Sequence, residues 1–188
     1  DMSSTEDISA LIKKVQTDLG DPDILVTNAG GPPPGTFATT PLDAYEKGIN
    51  LNLMSAVRLI HALVPAMKEK KWGRIIAVTS ISVKQPIGNL LLSNTARTGL
   101  TGFLKTIATE LAPFGITVNA VLPGIHKTDR IDQLAAHEAK QTSRTIEAVI
   151  REKEEANPSK MMGDPDDFGA MAAFLAGRQA RYITGQNI

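Results

Sequence analysis

Three short β-rich runs alternate with long segments of helical periodicity, and this alternation constrains the fold more than any other feature of the chain. The runs are Ile24–Thr27, Arg74–Thr79 and Ile116–Leu122. Strands that are separated by helices pair in parallel through crossovers, and such sheets are covered by helices. The sequence therefore predicts an α/β protein with a doubly wound parallel sheet and three layers, α/β/α.

Capping residues and apolar periodicity delimit the helices. Ser4 and Gly20 bracket the first helix, and Pro41 opens a long second helix that continues to Met67. The other predicted elements are a helix from about Leu92 to Leu111, a charged helical region from Asp129 to about Ala156, a helix at Phe168–Leu175 and a β-like end at Tyr182–Thr184. Because no repeat or linker interrupts the pattern, we assign residues 1–188 to a single domain.

Composition excludes several classes of function. The absence of cysteine rules out thiolate catalysis, iron–sulfur clusters and Cys-ligated zinc, and no His or carboxylate cluster has metal-ligand spacing. The 20 Lys and Arg balance 20 Asp and Glu without a basic run, so we expect no nucleic-acid partner. The longest uncharged stretch, Ile24–Leu42, is broken by Gly and Pro, so we expect no membrane span.

The same sequence features indicate a cellular location. No charged segment followed by an apolar run opens the chain, so no signal peptide is recognised. The lack of cysteine fits a reducing compartment. We therefore expect a cytoplasmic protein.

Small and polar residues follow each predicted strand, where open parallel sheets bind their ligands. Asn28, Ala29 and Gly30 follow the first strand and would let a flat ligand approach the backbone, although a simple turn is an equal explanation. Ser80 follows the second strand, where serine is more often a turn former. Pro123-Gly124 ends the third strand, and the loop to Thr128 could wrap a ligand or only stop the strand.

Over nearly the whole chain, these motifs resemble the short-chain dehydrogenase/reductase family in order and spacing. The likeness is to its 3-oxoacyl-carrier-protein reductase and glucose dehydrogenase type. The matching places are Thr27-Asn28-Ala29-Gly30 for the Asn-Asn-Ala-Gly motif, Asn52 for the helix asparagine, Ser80 for the catalytic serine, Pro123, Gly124 and Thr128 for the nicotinamide loop, Arg181–Gly185 for the closing strand and Asp1-Met2-Ser3 for the adenine-contacting segment. The first five of these elements, found in register, are unlike a chance match.

The resemblance implies a Rossmann-type fold and hydride transfer between the nicotinamide of NAD or NADP and a small carbonyl or secondary alcohol substrate. In this family a serine orients the substrate oxygen, a tyrosine delivers the proton, a lysine lowers the tyrosine pKa and holds the ribose, and the helix asparagine anchors a relay water. Ser80 and Asn52 inherit the first and last of these roles. The implied cofactor contacts are Asp1, Asn28, Ala29, Gly30, Pro123, Gly124 and Thr128.

The chain departs from the family at the proton-transfer pair. Ser93 and Arg97 stand in the places of tyrosine and lysine, and neither Tyr45 nor Tyr182 is followed by a lysine four residues later. Ser93 and Arg97 still share one helical face. A serine hydroxyl is a poorer donor than a phenol with a pKa of about 10, and arginine does not relay protons. Because general acid catalysis contributes about 10²–10⁴-fold, the alternative is a catalytically impaired homologue that binds nucleotide.

Other roles remain open for the groups near this pair. Arg97 could hold a ribose hydroxyl, stabilise a developing alkoxide or be a surface or interface arginine. Lys84 and His126 are the candidate replacement acids, although each is more simply an ordinary loop residue. A non-redox epimerase on the same fold is a third functional possibility.

The glycine-rich turn that cradles a pyrophosphate is not found in these residues. The resemblance therefore assigns residues 1–188 to the C-terminal three quarters of the fold, lacking the N-terminal βαβαβ portion. The strand Ile24–Thr27 would then be a bare edge that is prone to aggregate. We expect the sequence to belong to a longer protein, and a soluble sample with an intact mass of 20.1 kDa would contradict this.

The helix from about Leu92 to Leu111 carries small residues at Ala96, Gly99 and Gly102. The resembling family forms dimers and tetramers through this helix and the long helix before it. We therefore expect a homodimer or homotetramer, although small residues also suit tight packing on the sheet.

Overall fold

The computed structural model describes residues 1–188 and groups them into two compact units. The first unit comprises Asp1–Leu122 and Ala172–Ile188, and the second comprises Pro123–Met171. The assignment of the chain to a single domain stays a prediction.

A parallel three-stranded sheet forms the centre of the first unit. Its strands are β1 (Ile24–Thr27), β2 (Gly73–Val78) and β3 (Ile116–Val121), in that spatial order. Ile24 lies opposite Arg74, and Gly73 lies opposite Ile116. All three predicted strands are therefore confirmed to within one residue at each end.

The helices of the first unit follow the predicted segments. They are α1 (Thr5–Leu19), α2 (Asp43–Ile49), α3 (Ser55–Lys70) and α4 (Leu91–Leu111). Ser4 caps α1 by accepting a hydrogen bond from the amide of Asp7, as its capping-box position predicts. The predicted start of the second helix at Pro41 is two residues early, since α2 begins at Asp43.

A π-helical turn, Asn50–Met54, joins α2 to α3. The amide of Ser55 donates to the carbonyl of Asn50 across five residues, which widens the helix at this point. By length and mean hydropathy alone the stretch Asp43–Lys70 could cross a membrane, but buried core helices pass the same test. Leu59 and Leu63 of this stretch are buried in the core of the first unit.

Helices α3 and α4 pack against the sheet and α1 packs against α3, around one apolar core. Apolar residues recur every three or four positions along α4, so one face of this helix is buried. The core residues are Ile8, Leu25, Ala56, Leu59, Ile60, Leu63, Met67, Ile75, Ala77, Leu100, Leu104, Ala108, Leu111, Ile116, Val118 and Ala120. A parallel sheet with flanking helices confirms the predicted Rossmann-type α/β class.

The buried side chain of Arg74 stabilises the amino-terminal end of the sheet. The side chain of Arg74 donates to the carbonyls of Gly73, Gly115 and Gly177 and lies 4.6 Å from the ring centroid of Trp72. Burial lowers the pKa of this guanidinium below its ordinary value. The side chain thereby links β2 to the turn before β3 and to the residue that follows the last helix.

The predicted β-like end at Tyr182–Thr184 is wrong. Tyr182 is 98% exposed, and the pairing with β3 begins only at Gly185, whose amide donates to the carbonyl of Val118 at 2.7 Å. Asn119 explains the shift, because its buried amide group donates to the carbonyl of Ile183 at 2.8 Å and accepts from the amide of Gln186 at 3.1 Å. The side chain of Asn119 therefore bonds backbone groups of the chain end that would otherwise pair with a neighbouring strand.

Asn119→Ala is expected to lower the free energy of unfolding by about 2 kcal/mol, because it leaves the partly buried carbonyl of Ile183 and amide of Gln186 without their side-chain partner. Urea unfolding followed by circular dichroism measures the change. The control Asn187→Ala removes an exposed side chain of the same type from the segment that pairs with β3. If Asn187→Ala lowers the free energy of unfolding as much as Asn119→Ala does, the role of Asn119 in fixing the end of the chain is contradicted.

The second unit contains two helices where the sequence predicts one charged helical region. They are α5 (Asp129–Thr142) and α6 (Ile146–Ala156). The break falls at Ser143, whose φ of 53° is left-handed, and Thr145 then caps α6. Ala135, Ala139 and Val149 form the small core between the two helices. A last helix, α7 (Pro165–Ala176), begins three residues before the predicted Phe168.

Candidate active site

Arg97 is the most extensively bonded residue of the predicted site. Its side chain is only 7% exposed. Its guanidinium donates from Nη1 to the carbonyls of Val78 and Thr79 at 3.0 and 2.9 Å, and from Nη2 to the carbonyl of Ala29 at 3.0 Å. Because these carbonyls lie at the ends of β1 and β2, Arg97 holds α4 and both strand ends together. The hypothesis of a surface arginine does not fit this burial.

Ser93 and Arg97 form a pair, as their spacing on one helical face predicts. Nε of Arg97 donates to Oγ of Ser93 at 3.2 Å, and both side chains are buried. Since the serine oxygen is the acceptor, its own hydroxyl proton can be donated to another group. Ser93 is thus a neutral donor beside a permanent positive charge.

Asn52 holds the turn that follows β1. The residue lies in the π-helical turn Asn50–Met54 and is 3% exposed. Its Nδ2 donates to the carbonyl of Gly30 at 2.8 Å, whereas its buried Oδ1 has no partner in the protein. The free acceptor is the atom of this residue that can bind a further group.

A small cavity joins these residues. Its volume is about 10 Å³, close to the space that one water molecule needs. The lining residues are Met2, Thr27, Asn28, Ala29, Asn52, Ser55, Ala56, Leu59, Val78, Arg97 and Leu100. The structure therefore brings Asn28, Asn52 and Arg97 together, while Ser80 is not part of this lining.

Ser80 begins the turn that follows β2. Its Oγ accepts a hydrogen bond from the amide of Ser82 at 3.1 Å and so caps the 3-10 turn Ile81–Val83. Ser80 follows Thr79, whose carbonyl is bonded to Arg97, so the backbone before Ser80 is fixed by the predicted site. Lys84, a candidate replacement acid, is exposed at the end of the same turn.

The predicted nicotinamide loop belongs to the second unit. Pro123 and Gly124 follow β3, and Thr128 precedes α5. The His126 ring packs edge-on against Phe168 with centroids 5.2 Å apart, and its Nδ1 is buried. A Cβ added to Gly163 would lie 2.6 Å from this ring. His126 is therefore a packed side chain of the second unit, which argues against its role as a replacement acid.

Asp1 interacts with its own segment. Its Oδ1 accepts from the amide and the hydroxyl of Ser3, both at 2.8 Å. This turn leads into the cap of α1 at Ser4. The predicted adenine contact of Asp1 stays a prediction.

Sequence reasoning missed the three carbonyl acceptors of Arg97 and the π-helical turn around Asn52. The only sequence signal for the turn is the pair of asparagines, Asn50 and Asn52, within an apolar helix. Asn50 accepts from Arg58 at 3.1 Å, which stabilises the turn from the following helix. No sequence signal marks the acceptors of Arg97, since they are main-chain atoms.

Comparison with known proteins identifies the family. The profile of a family described as enoyl-(acyl carrier protein) reductase matches residues 1–188. Nodulation protein G of Azospirillum brasilense is 35% identical, and the 3-oxoacyl-[acyl-carrier-protein] reductase FabG of Vibrio cholerae is 34% identical. Each alignment covers 100% of this chain and 72% of the relative.

Solved structures agree with the sequence relatives. YwfH, an NADPH-dependent reductase involved in bacilysin biosynthesis, superposes with a TM-score of 0.94 at 29% identity. That match covers 100% of this chain and 72% of YwfH. The chain belongs to the short-chain dehydrogenase/reductase family, in its 3-oxoacyl-carrier-protein reductase type. The predicted family, fold class and NAD(P)-dependent oxidoreductase class are confirmed.

The residues of the first unit fit the nicotinamide end of such a cofactor. A Cβ built on Gly30 meets no atom within 4 Å, so a flat ring can approach the backbone there. The buried Oδ1 of Asn52 is a free acceptor beside the same turn. Asn28, Ala29 and Gly30 would therefore contact the nicotinamide ring of the cofactor through the backbone of this turn.

Proposed function

We propose that this protein transfers hydride between NADPH and the carbonyl carbon of a small ketone, with the secondary alcohol as product. NAD remains the second choice of cofactor. The observation that carries the proposal is the fixed turn Asn28–Gly30. Asn52 donates a hydrogen bond to one carbonyl of this turn and Arg97 donates to another. The NADPH dependence of YwfH supports the choice of cofactor.

The bound nicotinamide would supply the hydride, and the protein would supply position and hydrogen bonds. Ser80 would orient the substrate oxygen with its hydroxyl. Asn52 would hold a water through its free Oδ1. On the family motif, Pro123, Gly124 and Thr128 are proposed as further contacts of the cofactor, and Asp1 as a contact of its adenine.

Arg97 acts as a positioning residue in this scheme. At least four of its N–H groups donate to protein acceptors, so the guanidinium fixes the turn after β1 and the backbone before Ser80. Ser93 would donate its remaining proton as a hydrogen bond, and water would deliver the proton that completes the alcohol.

Steady-state oxidation of NADPH and NADH over a panel of ketones tests the proposal. Ser80→Ala is expected to lower kcat about tenfold, because one neutral hydrogen bond to the substrate contributes about 1.4 kcal/mol. The matched control is Ser82→Ala, which removes a buried hydroxyl without a partner two residues away. Turnover that is unaffected by Ser80→Ala would contradict the role of Ser80. Tight cofactor binding without turnover would favour the impaired homologue.

We also propose a cytoplasmic homodimer or homotetramer in which α4 contributes to the interface. Gly99 and Gly102 are exposed on α4, and a Cβ added to Gly102 would meet no atom within 4 Å. Small exposed residues let two helices approach closely. Sedimentation velocity of the purified protein tests this, and a monomer at all concentrations would contradict it.

A further inference from the structure

The buried pair of Ser93 and Arg97 links a positive charge to a hydroxyl group that keeps its own proton. Nε of Arg97 donates to Oγ of Ser93 at 3.2 Å, and each of the two residues is 7% exposed. Because the serine oxygen accepts a bond from a cation, its O–H group is polarised and donates more strongly to a further acceptor. A negatively charged oxygen is the acceptor that such a pair stabilises most.

Main-chain carbonyls fix the charge of Arg97 in place. Its Nη1 donates to the carbonyls of Val78 and Thr79, and its Nη2 donates to the carbonyl of Ala29. A charge that is already oriented needs no rearrangement when an oxyanion forms beside it. Burial also strengthens its field, since the interior of a protein screens charges less than water does.

No group that readily gives up a proton accompanies this charge. Arg97 is the only ionisable side chain that lines the small cavity of the first unit. Lys84 is exposed, and the ring of His126 packs against Phe168 within the second unit. Arginine does not relay protons, and the hydroxyl of Ser93 is a neutral donor. The pair is therefore suited to stabilise an oxyanion but not to protonate it.

This chemistry makes the basicity of the product oxygen decisive. Hydride from NADPH forms a bond to the carbonyl carbon, and the π-electron pair of the C=O bond moves to the oxygen. The carbonyl compound is reduced, NADPH is oxidised to NADP⁺, and water then protonates the oxyanion and is left as hydroxide. For an ordinary ketone this oxyanion is about as basic as hydroxide, whose conjugate acid has a pKa of about 16. An electron-withdrawing carbonyl group on the adjacent carbon makes the oxyanion less basic.

Resting on the proposed function, we propose that the substrate is a 1,2-dicarbonyl compound, which this site reduces to the α-hydroxyketone. Hydride transfer comes first, and the proton follows from water. The Ser93 hydroxyl, polarised by Arg97, stabilises the oxyanion between the two steps. Ordinary ketones are slow substrates, because their more basic oxyanion needs a general acid that this pair does not supply.

A matched pair of substrates tests the substrate class. In 3-methyl-2-butanone a methyl group replaces the second carbonyl oxygen of 2,3-butanedione, so the two molecules have nearly the same shape. With the full protein and NADPH, we expect kcat/KM for the dione to be about 10³-fold higher, comparable to the contribution of a general acid. Equal values, or a preference for the monoketone, would overturn the substrate class while the proposed redox function stands. If neither compound oxidises NADPH, the redox function itself is contradicted.

Variants show whether the preference arises at position 93. Ser93→Tyr/Arg97→Lys supplies a general acid, so the preference for the dione should fall at least about tenfold. Ser93→Phe/Arg97→Lys carries the same ring without the hydroxyl and should retain the preference. An unchanged preference in the tyrosine variant would assign it to the reactivity of the dione alone and overturn the proposal.

Binding of 4-nitrophenol to the full protein without cofactor measures oxyanion stabilisation without turnover. Only the phenolate absorbs in the visible range, so absorbance reports the ionised fraction of the bound probe. We expect the ratio of phenolate to phenol to be about tenfold higher on the protein than in solution at the same pH, and Ser93→Ala should remove most of this increase.

The matched control for Ser93→Ala is Thr95→Ala, which removes an exposed hydroxyl from the same helix. This control should leave the ionised fraction of the bound probe unchanged. A bound probe that is no more ionised than the free one, or an equal effect of the two variants, would overturn the stabilisation of an oxyanion by Ser93. This result does not depend on the redox reaction, so it stands whether or not the protein oxidises NADPH.

Discussion

The double variant Ser93→Tyr/Arg97→Lys is expected to reduce carbonyl substrates about 10²-fold to 10⁴-fold faster than the parent protein, the range that general acid catalysis supplies. The two substitutions restore the family's tyrosine and lysine on the same face of α4. A phenol with a pKa of about 10 donates a proton far more readily than a serine hydroxyl. Lysine is shorter than arginine, so it leaves space beside position 93, where Nε of Arg97 now lies 3.2 Å from Oγ of Ser93.

The matched control is Ser93→Phe/Arg97→Lys, which carries the same ring without the hydroxyl. We expect this control to show no gain in kcat, and we expect only the tyrosine variant to acquire a pH-dependent rate. The phenylalanine ring carries no proton that it can donate, so only the tyrosine variant gains a general acid. If the folded tyrosine variant binds NADPH but is no faster than the phenylalanine control, position 93 is not the site of proton delivery.

Arg97→Met should lower the free energy of unfolding by about 3 kcal/mol. The substitution keeps an unbranched side chain but removes the donors that now satisfy the carbonyls of Ala29, Val78 and Thr79. Buried carbonyls without partners cost about 1–3 kcal/mol each, and the turn after β1 can relax to recover part of this. Urea unfolding of parent and variant at equal protein concentration measures the change.

Arg151→Met is the control for this experiment, since it removes an exposed arginine from α6. Its effect should stay within about 0.5 kcal/mol, as for ordinary surface substitutions. Arg97→Lys should fall between the two, because one ammonium can replace only some of the bonds. A cost for Arg97→Met no greater than that of the control would show that Arg97 does not hold the strand ends.

The sheet could be predicted because its signals are local. β2 and β3 are almost entirely buried and consist mainly of apolar and β-branched residues, and the turns at Gly20 and Pro123-Gly124 mark boundaries. The end of the chain could not be predicted in this way. Its pairing with β3 is set by the side chain of Asn119, more than 60 residues away in sequence. The break between α5 and α6 likewise depends on a left-handed backbone at Ser143, which serine does not signal.

The candidate site likewise has a part that the sequence predicts and a part that it does not predict. Motif spacing places Asn28, Asn52 and Arg97 near one another, and the structure brings all three to one cavity. Spacing does not reveal what a long side chain touches. Arg97 reaches main-chain carbonyls at the end of β2 and in the turn after β1, and every residue type has such a carbonyl. Its positioning role is therefore seen only in the three-dimensional structure.

Isotope transfer from the cofactor to the product is the most direct measurement of the redox reaction. The protein is incubated with NADPH in which both C4 hydrogens of the nicotinamide are deuterium and with a small neutral ketone, and the alcohol is analysed by mass spectrometry. We predict one deuterium at the carbinol carbon for each NADPH oxidised. Product without deuterium, or bound cofactor that remains unoxidised in the presence of every ketone tested, would contradict hydride transfer at this site.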